Sequence, residues 1–410
     1  MSEFINRPLS RRGFLGGATV AAGLGLTACG GGQQKAAEAP SGKEGGGTIT
    51  AGTAYSTQNY DPSTTSSALA LGVNWQVVEG LYGLNFHDYS TFNELATADP
   101  KKVDDYTFEI TLRDGAKFSD GNEVKADDVV ESFNRSAAKG SVYVPMLSPI
   151  ASVEKKDDKT VTVKTTIANF SLLKERLSIV RVVPASSSQD EMKKQPVGSG
   201  PWQFESISDN TLDLVPNKNY NGATPAKDDK LHYDVLKDPT ARLTAQQDGT
   251  TLAMEMVPAD AVDQLKGAGC TVDAVQGFGV RFAMFNLGKA PWDNVKVRQA
   301  CLYALDTDKM LANAFSGQAE VATSYLPSSF ANYHKASTVY AHDVDKAKKL
   351  IAESGITPGD VVLRTTDNEQ VKSMATQVKN DLDALGFNVS IVSDTSPATY
   401  AAIDAVDGSW

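Results

Sequence analysis

The residues of this chain that could do chemistry are few and scattered. Its four histidines stand at 87, 232, 334 and 342, and no pair has the spacing of a zinc site. Neither a Gly-x-Ser-x-Gly nucleophile elbow nor a Gly-x4-Gly-Lys-Ser/Thr phosphate loop occurs. Gly198-Ser199-Gly200 has the composition of a turn that cradles an anion on its amides, and equally of a structural turn, which is the commoner use. The acidic pairs Asp104-Asp105, Asp127-Asp128 and Asp228-Asp229 read as solvated faces or helix caps, because adjacent side chains on a helix or strand point apart. No catalytic constellation stands out, and the sequence predicts a protein that is not an enzyme.

Three cysteines remain. Cys301 falls on a helical stripe with Val297, Ala304 and Leu305, which predicts a buried core thiol; Cys270 follows Gly-Ala-Gly. A Cys270–Cys301 disulfide and two separate thiols both fit, since spacing alone never sets connectivity. Cys29 is different. Ser10-Arg11-Arg12-Gly13-Phe14-Leu15 resembles the twin-arginine export signal, and Leu26-Thr27-Ala28-Cys29 resembles a bacterial lipobox. The resemblance implies that residues 1–28 are a cleaved signal peptide read through Arg11 and Arg12. Cys29 then becomes the lipidated first residue of the mature chain. A retained transmembrane helix is the competing reading. Five glycines between 13 and 25, each costing about 1 kcal/mol of helix stability, argue against it. So does the shortness of Phe14–Ala28 against the ~20 residues of a span.

The whole chain carries 39 basic and 50 acidic residues. Setting aside residues 1–28, which hold Arg7, Arg11, Arg12 and Glu3, leaves 36 basic and 49 acidic, a net charge of −13. That balance excludes a nucleic-acid binder, which needs a basic footprint for phosphates. Residues 30–47 are Gly, Gln, Ala, Glu, Lys, Pro and Ser with almost nothing to bury, so 29–47 is expected to be a lipidated cysteine on a flexible tether. The 363 residues from 48 to 410 suffice for two or three cores.

Along that body, Tyr106, Phe108, Ile110 and Leu112 alternate and predict a half-buried strand, followed by turns at Asp114-Gly115 and Asp120-Gly121. Ala126, Val129, Val130 and Phe133 recur at helical spacing, and Thr160–Lys164 alternates again. Phe278–Phe285 reads as a strand in mid-chain. A helix is expected from 295 to about 315, capped by Asp293 or Asn294. Ala347, Leu350 and Ile351 mark a helix stopped by Gly355. Val361–Thr366, the helical stripe Met374-Val378-Leu382-Leu385, and alternating Phe387-Val389-Ile391 make a strand–helix–strand unit, hence a parallel sheet covered by helices. The second half is α/β.

Beyond these periodicities, several motifs occur in a telling order. They are Tyr60-Asp-Pro62, Val78-Glu-Gly-Leu-Tyr82, the long run Tyr106–Phe133, Val197-Gly-Ser-Gly-Pro-Trp202, Phe285-Asn286 with Pro291–Ala300, and Asp345–Leu350. Together they make residues 48–410 similar to the family 5 extracellular solute-binding proteins of ABC importers, a group that binds oligopeptides, dipeptides or nickel. The resemblance implies an α/β, periplasmic-binding-protein-like two-lobe fold of type II. Lobe I would span 48–280, with an extra subdomain at about 82–181, and lobe II 281–410. It also implies ligand contacts at Thr65, Ser66, Ser67 and Ala68, where main-chain groups can pair with an extended peptide as an added strand would. Tyr143 would offer an aromatic ring, or else serve as a subdomain core residue. Gly277, Phe282 and Met284 match contact positions on the strand crossing into lobe II, with core packing an equal alternative for the last two. Asp61-Pro62 itself reads as a structural turn. Trp75 and Trp292 would lie near the cleft and the hinge.

Family members continue past the length of this chain, so the resemblance implies a second lobe incomplete at its C-terminus. The expected function is that of a lipid-anchored receptor outside the cytoplasmic membrane. It captures peptides or a similar small polar solute by lobe closure and hands it to permease and ATPase subunits, with no cofactor or metal. Rival readings are a ligand-sensing or adhesive lipoprotein uncoupled from transport, and an extracellular hydrolase, which the missing elbow and metal spacing disfavour.

Overall fold

The computed structural model describes residues 46–277, 279–316, 318–330, 332–394 and 399. The export motif and Cys29 therefore lie outside the described residues, as do Phe278 and the last eleven positions. Among the described residues no helix is long and apolar enough to cross a membrane.

Three apolar cores organise the described body. The first is built on an antiparallel sheet in the order Lys101–Lys102, Thr107–Thr111, Thr160–Thr165, Ile150–Lys155. Phe108, Ile110 and Leu112 point inward as their two-residue period requires, and Tyr106, one residue before the strand, is left half exposed. The helix Ala126–Ser136 covers this sheet with Val129 and Phe133. Asp128 secures the start of that helix by accepting the amide of Lys125 at 2.8 Å, the capping role expected of the Asp127-Asp128 pair. A short hairpin, Tyr82–Leu84 with Thr91–Asn93, adds Tyr82 to the same core.

The second core lies against a five-stranded sheet in the order Ala253–Met254, Thr48–Thr53, Lys230–Val235, Thr211–Pro216, Trp202–Ile207. Its first three strands are parallel and its last three antiparallel. The helix Ala68–Val77 contributes Leu69, Ala70, Val73 and Val77 to this core. Gly198 and Gly200 of the expected tight turn sit against the end of that helix. A Cβ on Gly198 would meet the Val77 carbonyl oxygen at 2.0 Å, and one on Gly200 the Gln76 oxygen at 2.5 Å. The Gly200 amide donates to Val77 at 2.8 Å. Close backbone approach, not anion binding, accounts for these glycines.

The third core belongs to the second half. Strands Asp360–Thr366 and Asn388–Asp394 pair in parallel, joined by the helix Glu369–Asp383, which is the expected strand–helix–strand unit. Val361, Phe387 and Val389 meet Val297, Ala300, Cys301, Ala347 and Ile351 there. Cys301 is 2 % exposed, and burial pushes its thiol up to about 12. Cys270 and Cys301 are separate free thiols.

Two expectations need correction. The helix from 295 to 315 is two helices, Val295–Ala304 and Thr307–Phe315. Asn294 caps the first, through the Lys296 amide at 2.9 Å. The break falls at Asp306, whose carboxylate accepts the Lys309 amide at 3.0 Å while its own amide donates to Asp381 at 3.0 Å. A side chain that competes for backbone amides ends one helix and starts the next. The strand expected over 278–285 does not form among its described residues, and 279–286 are irregular. An alternating pattern makes a strand only where a neighbour completes the ladder. No described strand lies beside this one.

Candidate ligand-binding site

The segment after Tyr60 is a folded turn before it is anything else. Asp61 is fully buried, and its Oδ1 accepts the Ser63 amide at 2.9 Å and the Ser63 hydroxyl at 2.7 Å. Its main-chain carbonyl accepts the amides of Thr64 and Thr65. Asn74, one helix face away, donates to the Tyr60 carbonyl at 2.9 Å. Asp61-Pro62 is thus the structural turn expected, and it delivers Thr65–Ala68 to the start of the helix Ala68–Val77.

Thr65 is buried, while Ser66 and Ala68 are exposed and Ser67 is half-buried. Ser67 takes the cap position in an extended conformation, but its hydroxyl makes no capping bond. Its amide is used internally, donating to Thr65 Oγ1 at 3.2 Å. Among the described residues the first-turn amides of the helix have no side-chain acceptor, an arrangement that favours a carbonyl or carboxylate oxygen.

Tyr143 packs directly against this loop. Its hydroxyl lies 3.5 Å from the Thr65 carbonyl oxygen, and the nearby Ser141 hydroxyl donates to the Ser63 carbonyl at 2.9 Å. Tyr143 also belongs to the first core, and burial raises its phenol above the usual tyrosine range. The structure therefore brings Thr65–Ala68 and Tyr143 together. Gly277, Phe282 and Met284 lie on or beside the irregular segment, with Phe282 70 % and Met284 52 % exposed.

Beneath the loop sits a set of charges the sequence reading missed. Arg181 is buried and pairs with Glu94 at 2.8 Å, and its guanidinium carbon lies 3.2 Å from the centre of the Trp75 ring. Arg113 grips Glu79 through two bonds of 2.8 Å and also donates to the Glu94 carbonyl. Burial lowers the Arg181 pKa and raises that of Glu79, against the pull of their partners. The two cations and two carboxylates balance. Glu79 stands in the Val78–Tyr82 motif and Arg113 ends the Tyr106–Arg113 strand pattern, but nothing in the sequence pairs residues 34 positions apart.

Four buried polar atoms around this loop have no protein partner among the described residues: Asp61 Oδ2, Ser67 Oγ, Asn74 Oδ1 and Arg181 Nη2. Buried polar groups are usually satisfied, so these four stand out in the packing around the loop. A solvent-open groove of about 400 Å³ between Ser119-Asp120 and Glu191–Val197 contains none of the expected contact residues. Among the described residues no group of three His, Cys, Asp or Glu side chains could hold a metal ion.

Residues 92–409 match the family described as bacterial extracellular solute-binding proteins, family 5. The chain belongs to that family. The heme-binding protein A of Haemophilus influenzae is 32 % identical over 363 residues, covering 78 % of this chain and 64 % of that protein. A glutathione-binding protein of Pectobacterium atrosepticum is 27 % identical over 347 residues, covering 82 % of this chain and 67 % of its own. The chain thus spans less than two thirds of the Haemophilus relative. Among solved structures, the periplasmic binding protein DppA of Helicobacter pylori in complex with the peptide STSA has a TM-score of 0.76 at 20 % identity, covering 87 % of this chain and 75 % of that one. The oligopeptide-binding protein AppA of Bacillus subtilis, in complex with a nonapeptide, has a TM-score of 0.72 at 21 % identity, covering 87 % and 76 %. At such identity these likenesses bear on the fold alone, and they agree with a two-lobe α/β periplasmic-binding-protein architecture.

Proposed function

We propose that this protein is the substrate-binding receptor of an ABC importer, capturing a peptide or a similar small polar solute by lobe closure and delivering it to permease and ATPase subunits. The observation that supports it most is the loop Thr65–Ala68: a turn exposed at Ser66 and Ala68, at a helix start without a side-chain cap, braced by Tyr143. That combination suits main-chain pairing with an extended, amide-rich ligand. Relatives that bind heme and glutathione widen the ligand class to other small solutes that carry carboxylates. A ligand touching both lobes shifts the protein to the closed state by its differential affinity, with no bond made or broken.

In this reading Cys29 carries the lipid that holds the receptor to the outer face of the cytoplasmic membrane, and Arg11 and Arg12 direct its export. Residues 48–280 form lobe I, with the extra subdomain at about 82–181, and residues 281–410 contribute to lobe II. Gly277, Phe282 and Met284 reach the ligand as the lobes close.

The test is capture of ligand from the native source. Protein purified without denaturation is extracted, and the extract is read by mass spectrometry. Candidates are then added back and melting followed. A bound peptide or small polar solute that raises the melting temperature in a concentration-dependent way is expected. Turnover of a captured solute, or no stabilisation by any peptide or small-solute pool, counts against the reading.

A further inference from the structure

The tip of the hairpin at residues 85–90 is built with unusual care for an exposed loop. Asn85 accepts the His87 amide through its side chain at 3.0 Å and the Tyr89 amide through its carbonyl at 2.7 Å. Asp88 accepts both the amide and the hydroxyl of Ser90, at 2.9 and 2.6 Å. Within that frame Tyr89 adopts φ 58°, a left-handed conformation that a bulky residue rarely takes. The effect is to aim two rings in different directions. Phe86 meets Trp75, on the helix that begins at Ala68, with ring centres 5.0 Å apart and nearly perpendicular. Tyr89 meets Phe330, with ring centres 5.3 Å apart and tilted by 42°.

Phe330 belongs to the other half of the molecule. Its segment lies between the helices Thr307–Phe315 and Val344–Ser354 and is tied to the third core. The Asp343 amide donates to the Tyr303 carbonyl at 2.8 Å, and the Tyr340 and Tyr303 rings meet at 5.0 Å. Around Phe330 a compact turn is held by the Thr323–Tyr333 hydroxyl contact at 2.7 Å and by the Ala336 amide on the Thr323 carbonyl. The ring pairs Tyr60–Phe204, Phe285–Trp292, Trp292–Phe387 and Tyr303–Tyr340 each stay within one half.

We propose that Tyr89 and Phe330 form an aromatic latch between the two halves, and that the hairpin loop couples it to the ligand-side helix through Phe86 and Trp75. They are positioning residues: they set how long the halves stay together and do not touch the ligand. The consequence for ligand retention rests on the closure reading above, but the latch itself does not, so its test uses no ligand.

The experiment is hydrogen exchange on the ligand-free full chain, comparing wild type with Tyr89→Ala, Phe330→Ala and the double variant. An edge or offset ring pair of this kind is worth roughly a factor of 2 to 12 in an equilibrium constant. Tyr89→Ala should therefore speed exchange in the distant peptide Thr323–Phe330 by about that factor. Phe330→Ala should speed exchange at 85–90, and the double variant should speed exchange by less than the two single effects multiplied together. Exchange in the third-core strand Asp360–Thr366 serves as the control and should not change. Unchanged exchange at Thr323–Phe330 in Tyr89→Ala, or additive effects in the double variant, would overturn the latch whatever the ligand proves to be.

Discussion

The guanidinium carbon of Arg181 lies over the indole of Trp75, 3.2 Å from the ring centre, while its Nη1 holds Glu94 at 2.8 Å. One buried cation thus ties the 68–77 helix to the strand end that carries Glu94. Removing one partner of a buried ion pair leaves the other uncompensated and typically costs about 3–5 kcal/mol. Arg181→Met should lower stability by that order in denaturant titrations. It should also move Trp75 emission to longer wavelength, which a Trp75→Phe background would assign to that ring. Full stability in the variant would mean that Glu94 finds another donor.

Gly198 separates backbone approach from anion binding. Its missing Cβ lets the turn lie on the Val77 carbonyl, so Gly198→Ala forces an overlap at 2.0 Å. Overpacking of this kind costs about 1–3 kcal/mol. Gly72, on the open side of the same helix, has nothing within 4 Å of an added Cβ. Gly72→Ala should therefore stabilise by up to about 1 kcal/mol. Melting curves of the two variants moving in opposite directions is the expected result.

Ala68 offers a clean probe of the proposed ligand contact at Thr65–Ala68. It is the first residue of its helix, and the preceding Ser67 sits at φ −70°, ψ 128°, the conformation proline demands of its predecessor. Ala68→Pro removes one amide donor and leaves the helix intact. With an identified ligand, affinity should fall by about 1 kcal/mol, one hydrogen bond, at unchanged melting temperature. Ser67→Pro is the poorer probe, because the Ser67 amide is already spent on Thr65. Unchanged affinity in Ala68→Pro would remove this amide from the site.

His232 gives the fold a pH dependence. It lies between Asp213, at 2.6 Å from Nδ1, and Asp234, at 3.2 Å from Nε2. The hydrogen bond to Asp213 raises its pKa, and partial burial opposes the rise. A raised folded pKa means the folded state holds the proton more tightly. The stability it contributes is full below the unfolded value of about 6.5 and is lost as pH rises through the folded pKa. Melting temperature should fall as the pH is raised from about 6 into the alkaline range, and the slope should flatten in His232→Gln. Identical slopes in the two proteins would assign the dependence to other groups.

Cys29→Ala tests the anchoring reading. A diacylated cysteine supplies two chains, which stable membrane attachment generally requires. The variant should appear in the soluble fraction of cells or accumulate unprocessed. Recovery in the membrane at wild-type size would refute lipidation at Cys29.

Sequence by itself determined the elements whose pattern is local. Tyr106–Leu112 alternates, and its inward residues fill the first core. Val361–Ile391 carries a strand, a helical stripe and a second strand, and these form a parallel unit. The Asp61-Pro62 turn is legible because its bonds run to residues two to four positions away. Tertiary structure decided what depends on distant partners. The pattern over 278–285 is as regular as the others, yet no neighbouring strand completes its ladder among the described residues. The helix at 295–315 breaks at Asp306, which caps the second helix through the Lys309 amide and gives its own amide to Asp381, 75 positions away. The charges beneath the Thr65–Ala68 loop join Glu79 to Arg113 and Glu94 to Arg181, the second pair 87 positions apart. Local periodicity is written by neighbours along the chain, whereas ion pairs and ladders are written by neighbours in space.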